Sequence, residues 1–281
     1  MTTATCVRRA LFGVTMLLAM SSAANATGVA RTWVSSAGND ANTSSSCTRT
    51  SPCRTFASAY SVTAPGGEIV ALDSIGYGPV TITTSVTIIG LEGALVSVQS
   101  STVGVTINAA ATDVVLLRNI QFSGASGSSN TVGVKLNTGK LVLQDSSFHT
   151  LTDGLLVDSA NNGNSIVRAY LTNNQFVGNT HGVTTNGNGI DFSIANPTGN
   201  IEVLISGGNF LANTTVFQTN NPGLDQNSNQ KYPILIERKN QGGWSVNIVG
   251  YTNYAAGTGT GCGSCNTIQD YSSSTGAQPP F

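Results

Sequence analysis

Charge is what this sequence has least of. Asp, Glu, Lys and Arg make up 9% of its 281 residues, against about 25% in an ordinary soluble domain. The surface must therefore be built from Ser, Thr, Asn and Gly. Nucleic acid needs a basic face, and twelve bases against thirteen acids supply none. No polybasic or amphipathic helical stretch is present, which excludes docking on a membrane surface. No segment approaches the roughly 20 consecutive apolar residues of a membrane span.

One short apolar run stands at the start. Arg8 and Arg9 precede Ala10–Met20, and Ala24-Asn25-Ala26 follows as an A-x-A site. This order is that of a secretory leader cleaved after Ala26. The expected product is secreted, periplasmic or extracellular, by the general route, since the residues flanking the Arg pair fit a twin-arginine motif poorly. The remaining chain keeps thirteen acids and ten bases, a net charge of −3. It has no transmembrane segment.

Cysteine is scarce but even. Apart from Cys6 in the leader there are Cys47, Cys53, Cys262 and Cys265. An even count in an exported chain reads as two disulfides. Three pairings exist; the local pairs 47–53 and 262–265 are expected, because each lies in its own Ser/Gly-rich loop. The first restrains a seven-residue loop, worth about 2 kcal/mol in the chain-entropy model. A redox or zinc role for CGSC lacks a strand–helix context and a nearby His.

What the chain does have is repetition. Between Val114 and Thr219 four segments align, starting VVLLRNIQF, LVLQDSSF, AYLTNNQF and VLISGGNF, and place Phe122, Phe148, Phe176 and Phe210 in one column. Six residues after the last three Phe a second short strand begins, at Gly154, Gly182 and Val216; after Phe122 the gap is eleven, to Gly133. Repeat length is 26 to 34 residues, varying only in Gly/Asn/Ser-rich stretches. A strand–turn–strand unit with elastic loops marks a solenoid, and its Val, Leu and Thr content marks a β-solenoid.

Polar columns accompany the apolar ones. Asn108, Asn137, Asp158, Asn186 and Asn220 follow the second strand, and Asn119, Asp145 and Asn173 follow the first. Rungs about 4.8 Å apart let amides bond up the stack, and Asn tolerates left-handed turn backbone. Inward positions read Val115/Leu117, Leu141/Leu143, Ala169/Leu171 and Val203/Ile205. Residues 86–113 align with the next repeat by a uniform shift of 29, Val86 to Val115, Gly93 to Phe122 and Gly104 to Gly133. Beyond 219 the register fades: YPILIER and WSVNIVGY read as two strands closing the C-terminal end, and the tail from Ala255 as flexible.

The stretch SPCRTFASAYSVTAPGGEIVALDSIGYGPVTITTSVTIIG, residues 51–90, is the most distinctive. Phe56, Ala59, Tyr60 and Thr63 fall at helical spacing, with Pro65-Gly66-Gly67 as the stop. Strands Ile69–Leu72, Val80–Ile82 and Val86–Ile89 follow. Short helix, Gly-rich stop, apolar strand, G-Y-G turn and S-V-T-I-I-G together resemble the first coil of right-handed parallel β-helix proteins of the pectate-lyase-like superfamily. The likeness is closest to exported bacterial members without an assigned activity, and covers about 51–219. It implies an all-β, right-handed parallel β-helix whose short N-terminal helix plugs the open end of the core. The expected division is a leader at 1–26, an N-terminal cap at 27–66, coils at 67–220, and C-terminal capping strands with the tail at 221–281.

The superfamily's catalytic patterns are missing. Its hydrolases need two or three clustered Asp; its lyases hold calcium on several acids and use a cationic or imidazole base. Here Asp145, Asp153, Asp158 and Asp191 scatter over different columns, and the Gln144-Asp145 pair is followed by Ser-Ser, unlike a methylesterase. No catalytic residue, metal or cofactor is expected. Asp153 and His181, each just before a second strand in adjacent repeats, read as a turn-stabilising pair, and His149 stands alone in its column.

One outward strip suits binding. Lys140, Arg168 and Glu202 share a column; Leu116, Val142, Tyr170 and Leu204 share the next; Arg118 and Gln144 continue the face. An apolar centre with an aromatic ring and flanking cations fits a polysaccharide or cell-surface glycan, where rings stack and Arg holds carboxylates. Alternatively the C-terminal strands cover the apolar stripe, and Arg168–Glu202 is an ordinary cross-strand pair. The functional expectation is a secreted or cell-surface, non-catalytic β-helix protein that binds glycans or other surfaces along its stacked face. The alternatives are a polysaccharide lyase or hydrolase, and a purely structural β-solenoid of a surface layer or appendage.

Overall fold

The computed structural model describes residues 28–159, 167–186 and 201–219, and four short strands beyond them. Strand β1 (Val29–Val34) leads through a 3-10 turn (Asp40–Ser45) to the helix α1 (Phe56–Val62). Then come β2 (Thr63–Ala71), β3 (Val80–Ile82), β4 (Val86–Ile89), β5 (Leu95–Val98), β6 (Val103–Asn108), β7 (Val114–Arg118), β8 (Gln121–Gly124) and β9 (Val132–Thr138). They are followed by β10 (Lys140–Gln144), β11 (Ser147–His149), β12 (Asp153–Asp158), β13 (Val167–Val177), β14 (His181–Asn186), β15 (Ile201–Leu211) and β16 (Thr215–Thr219). The last are β17 (Ile234–Glu237), β18 (Val246–Val249), β19 (Tyr254–Ala255) and β20 (Ile268–Asp270).

The chain is mostly β, in two long all-parallel sheets that curl into a half-barrel. Parallel neighbours cannot be joined by a hairpin and need a crossover of a dozen or more residues. Here the crossover is itself made of strands, so the chain forms three ladders. One runs β1-β2-β4-β7-β10-β13-β15-β17-β20, and a second joins β5, β8 and β11 to the later halves of β13 and β15 and to β18. The seven-stranded sheet is the third, β3-β6-β9-β12-β14-β16-β19. Within each ladder a strand pairs with its counterpart one repeat away, as Phe148 does with Phe122 and Phe176.

Stacking like on like explains the interior. Val115, Leu117, Leu141, Leu143, Ala169, Leu171, Val203 and Ile205 are all buried. The four Phe rings are buried too, with centroids 4.6 to 4.8 Å apart and planes within 7° of parallel. That separation is the rung spacing of a sheet. Two of the rings lie on the glycine near the start of the adjoining strand one rung earlier: a Cβ on Gly133 would sit 2.8 Å from Phe148 Cδ1, and one on Gly154 2.6 Å from Phe176 Cδ1. The expected polar columns are present where the residues are described. Asn137 donates to Asn108 Oδ1 at 2.7 Å, Asn186 to Asp158 Oδ1 at 3.1 Å and Asn173 to Asp145 Oδ1 at 2.8 Å. Asn119, Asp145 and Asn173 hold left-handed backbone, with φ of 56°, 48° and 55°.

At the N-terminal end Thr55 caps α1 by accepting from Ser58 N at 3.2 Å. Phe56 and Ala59 of the helix are buried in the common core, and Phe56 packs on Tyr77 with centroids 4.8 Å apart. The Cys47–Cys53 disulfide is formed, with Cα atoms 5.0 Å apart.

Three details differ from the sequence reading. The helix ends in an extended Thr63, and β2 starts there and runs through Pro65-Gly66-Gly67, which are therefore strand and not a stop. The shift of 29 holds for Val86↔Val115 and around Gly104, but Phe122 pairs with Val96 and not with Gly93. Corner lengths differ between repeats, so one shift cannot serve all three ladders. Pairing also continues past 219: Ile234 pairs with Val203, Ile248 with Phe210 and Tyr254 with Phe217. The leader, Asp191, Asn220 and the Cys262–Cys265 pair lie outside the described residues, as does the tail apart from Ala255 and β20, whose pairing with β17 gives that part of the tail strand structure.

Candidate binding surface

The outward strip is positioned by β7, β10, β13 and β15. In a strand successive side chains alternate faces, so burying Leu141 and Leu143 turns Lys140, Val142 and Gln144 outward. Pairing then lines up Lys140 with Arg168 and Glu202, Val142 with Leu116, Tyr170 and Leu204, and Gln144 with Arg118, Thr172 and Ser206. The residues named from sequence thus share one face of one parallel sheet. Arg118 is exposed; Lys140, Leu116, Val142, Tyr170 and Leu204 are half-buried. The C-terminal strand β17 extends this ladder edge to edge, with Leu235 beside Leu204.

Not all of the cations on the strip are available to a ligand. Arg168 Nε donates to Glu202 Oε2 at 2.9 Å, and the Glu202 residue is only 5% exposed. A buried carboxylate requires its partner, so Arg168 acts as a cross-strand pair and not as a free guanidinium. Burial, aided by the Glu202 carboxylate and opposed by Arg168, raises the Tyr170 phenol above its ordinary range. The hydroxyl stays protonated as a donor beside the ring's apolar face. Among the described residues Arg118 and Lys140 have no ion-pair partner. They are the cations this face offers to a ligand.

The seven-stranded sheet carries a second polar cluster. Asp153 and His181 are paired in register, and Asp153 Oδ1 accepts from His181 Nδ1 at 2.8 Å and from Thr184 Oγ1 at 2.5 Å. Thr184 was not anticipated, because nothing in its spacing marks it as a third partner. Both donors meet the carboxylate and not each other, so no hydroxyl is set on the imidazole as a nucleophile would be. At the other end of β12, Asp158 accepts from Lys135 Nζ at 3.1 Å as well as from Asn186. Five residues of strand place Asp153 and Asp158 about 16 Å apart, well beyond the ~5–9.5 Å of a glycosidase pair. Among the described residues no three of His, Cys, Asp and Glu converge as a metal site. Burial lowers the pKa of His149, whose column neighbours are Ser123 and Val177.

No family model, no curated protein and no solved structure matches the chain.

Proposed function

We propose that the chain is a right-handed parallel β-helix of the pectate-lyase-like kind, exported after cleavage near Ala26, that binds glycans along its outward strip without turning them over. Three strands recurring in every repeat, each pairing with its counterpart in the next, support the architecture. One observation carries the function: Arg118, Lys140 and the ring of Tyr170 lie in register on one outward face around an apolar column. Such a face stacks sugar rings and holds carboxylates at its margins. The separation of Asp153 from Asp158 argues against a hydrolase.

The test is a glycan array read at low and high salt, beside an assay for unsaturated products with calcium present. Binding to acidic glycans should weaken with salt, since exposed charges are screened over about 8 Å at physiological ionic strength. Arg118→Ala with Lys140→Ala should weaken it by tenfold or more, on the scale of ~1.5–3 kcal/mol for each charged hydrogen bond, with the circular dichroism unchanged. Arg168→Ala is a poorer probe, because it strands Glu202. Binding that survives the double substitution removes the strip, and unsaturated product overturns the non-catalytic reading.

A further inference from the structure

The first edge of the longest ladder is closed by a loop and not by a strand. Val34 of β1 faces β2, its carbonyl accepting from Leu72 N at 2.9 Å. Alternation therefore turns the backbone groups of Arg31, Trp33 and Ser35 to the outer edge. The disulfide loop meets two of them. Trp33 N donates to Cys47 O at 2.8 Å, Cys53 N to Trp33 O at 3.0 Å, and Ser35 N to Cys53 O at 3.0 Å. The two residues that cover the edge are the two halves of the disulfide, and both are fully buried. Arg31, one alternation earlier, is exposed.

The far end of this ladder is β20, which pairs with β17 alone among the described strands. Every pairing between is parallel, so β1 and β20 run in the same direction. A copy displaced along the ladder brings its β20 beside the next copy's β1 in parallel, with no inversion. Such a contact joins two different surfaces and repeats without closing. Its donors and acceptors are backbone groups, the ordinary currency of strand addition.

We propose that the outer edge of β1 is a docking surface for the last strand of a second copy of this chain, and that the Cys47–Cys53 loop is the latch that keeps it shut. A dithiol reductant opens the latch: it delivers two electrons and two protons, leaving two cysteine thiols, and becomes a cyclic disulfide. The freed loop no longer holds Trp33 and Ser35, and an incoming strand takes over their hydrogen bonds.

Light scattering on the full chain without its leader tests this. The oxidised protein should show the mass of one chain. The reduced protein, and Cys47→Ser with Cys53→Ser, should gain mass with concentration in steps of one chain. Adding Arg31→Pro to the serine variant should restore the single mass, because proline deletes an edge donor and is tolerated only at an edge. Gly38→Val provides a second route with the disulfide intact, since a Cβ there would sit 2.1 Å from Cys53 O and push the loop off the edge. Single-chain mass in both opened variants with native circular dichroism overturns the proposal, as does association that Arg31→Pro leaves undiminished. Should either variant unfold, hydrogen exchange on reduction decides. Early loss of protection at Trp33 and Ser35 supports the latch, and retained protection refutes it.

Discussion

The interior up to Val157 and the interior after it are built differently. In the earlier rungs the core column Ile82, Ile107, Leu136 and Val157 is wholly apolar, as are Val115, Leu117, Leu141 and Leu143. In the later rungs amides enter: Asn174, Asn179 and Asn213 are as buried as the leucines, no more than 2% exposed. Thr185 closes the apolar column, with a buried hydroxyl that has no partner among the described residues. The three amides repeat one geometry. Asn179 donates to Phe148 O at 3.1 Å and accepts from Leu151 N at 3.0 Å; Asn213 donates to Phe176 O at 2.8 Å and accepts from Asn179 N at 3.0 Å. Asn174 does the same for Leu143 O and Ser146 N, at 2.8 and 3.0 Å.

Each amide therefore clamps a sharp corner of the preceding rung. Those corners turn on a left-handed residue, Asp145, Thr150 or Gly178. A corner that tight leaves a carbonyl and an amide pointing inward, and buried backbone groups must be paired. After Phe122 the return is longer, eleven residues instead of six, and Leu151 rather than an amide occupies that place one rung on. The comparison teaches that polar residues enter this core where the chain turns fastest.

Stability measurements can break or sharpen this contrast. The largest loss belongs to the apolar stack: Phe176→Ala removes a ring held between Phe148 and Phe210, and should cost about 3–5 kcal/mol in urea unfolding. An unchanged midpoint would mean that the rings are not stacked. Asn179→Ala comes next, since it leaves Leu151 N and Phe148 O unpaired in the interior and should cost about 3 kcal/mol at ~1–3 kcal/mol per stranded group. Asn186→Ala should cost least, about 1 kcal/mol, because it is half-buried on the outer face and Asp158 keeps Lys135. If Asn179→Ala costs no more than Asn186→Ala, the corner clamps do not exist.

Much of this was readable in the sequence because parallel in-register stacking repeats one chemistry per column. The Phe column, the inward pairs and the outer Asn ladders could all be found that way, as could the shared face of Arg118, Lys140, Arg168 and Tyr170. The clamps could not. Asn173 and Asn174 are adjacent and identical, yet one lies at the surface with left-handed backbone and the other is buried, and only corner geometry separates them. The pairing of Phe122 with Val96 escaped for the same reason, since variable corners shift one ladder against another. At the strip, spacing gave Arg168 and Glu202 one column, but which of them was spent on the other depended on burial.

Cross-linking within the strip tests the central claim most directly, because register is what creates both the fold and the face. Arg118 pairs with Gln144, which puts their Cα atoms about 4.8 Å apart, inside the range a disulfide spans. Peptide mapping after mild oxidation should find the bond in Arg118→Cys with Gln144→Cys. It should be absent from Arg118→Cys with Val142→Cys, where a two-residue offset opens the separation to about 8 Å. A bond that forms preferentially in the second pair would contradict the register, and the strip with it.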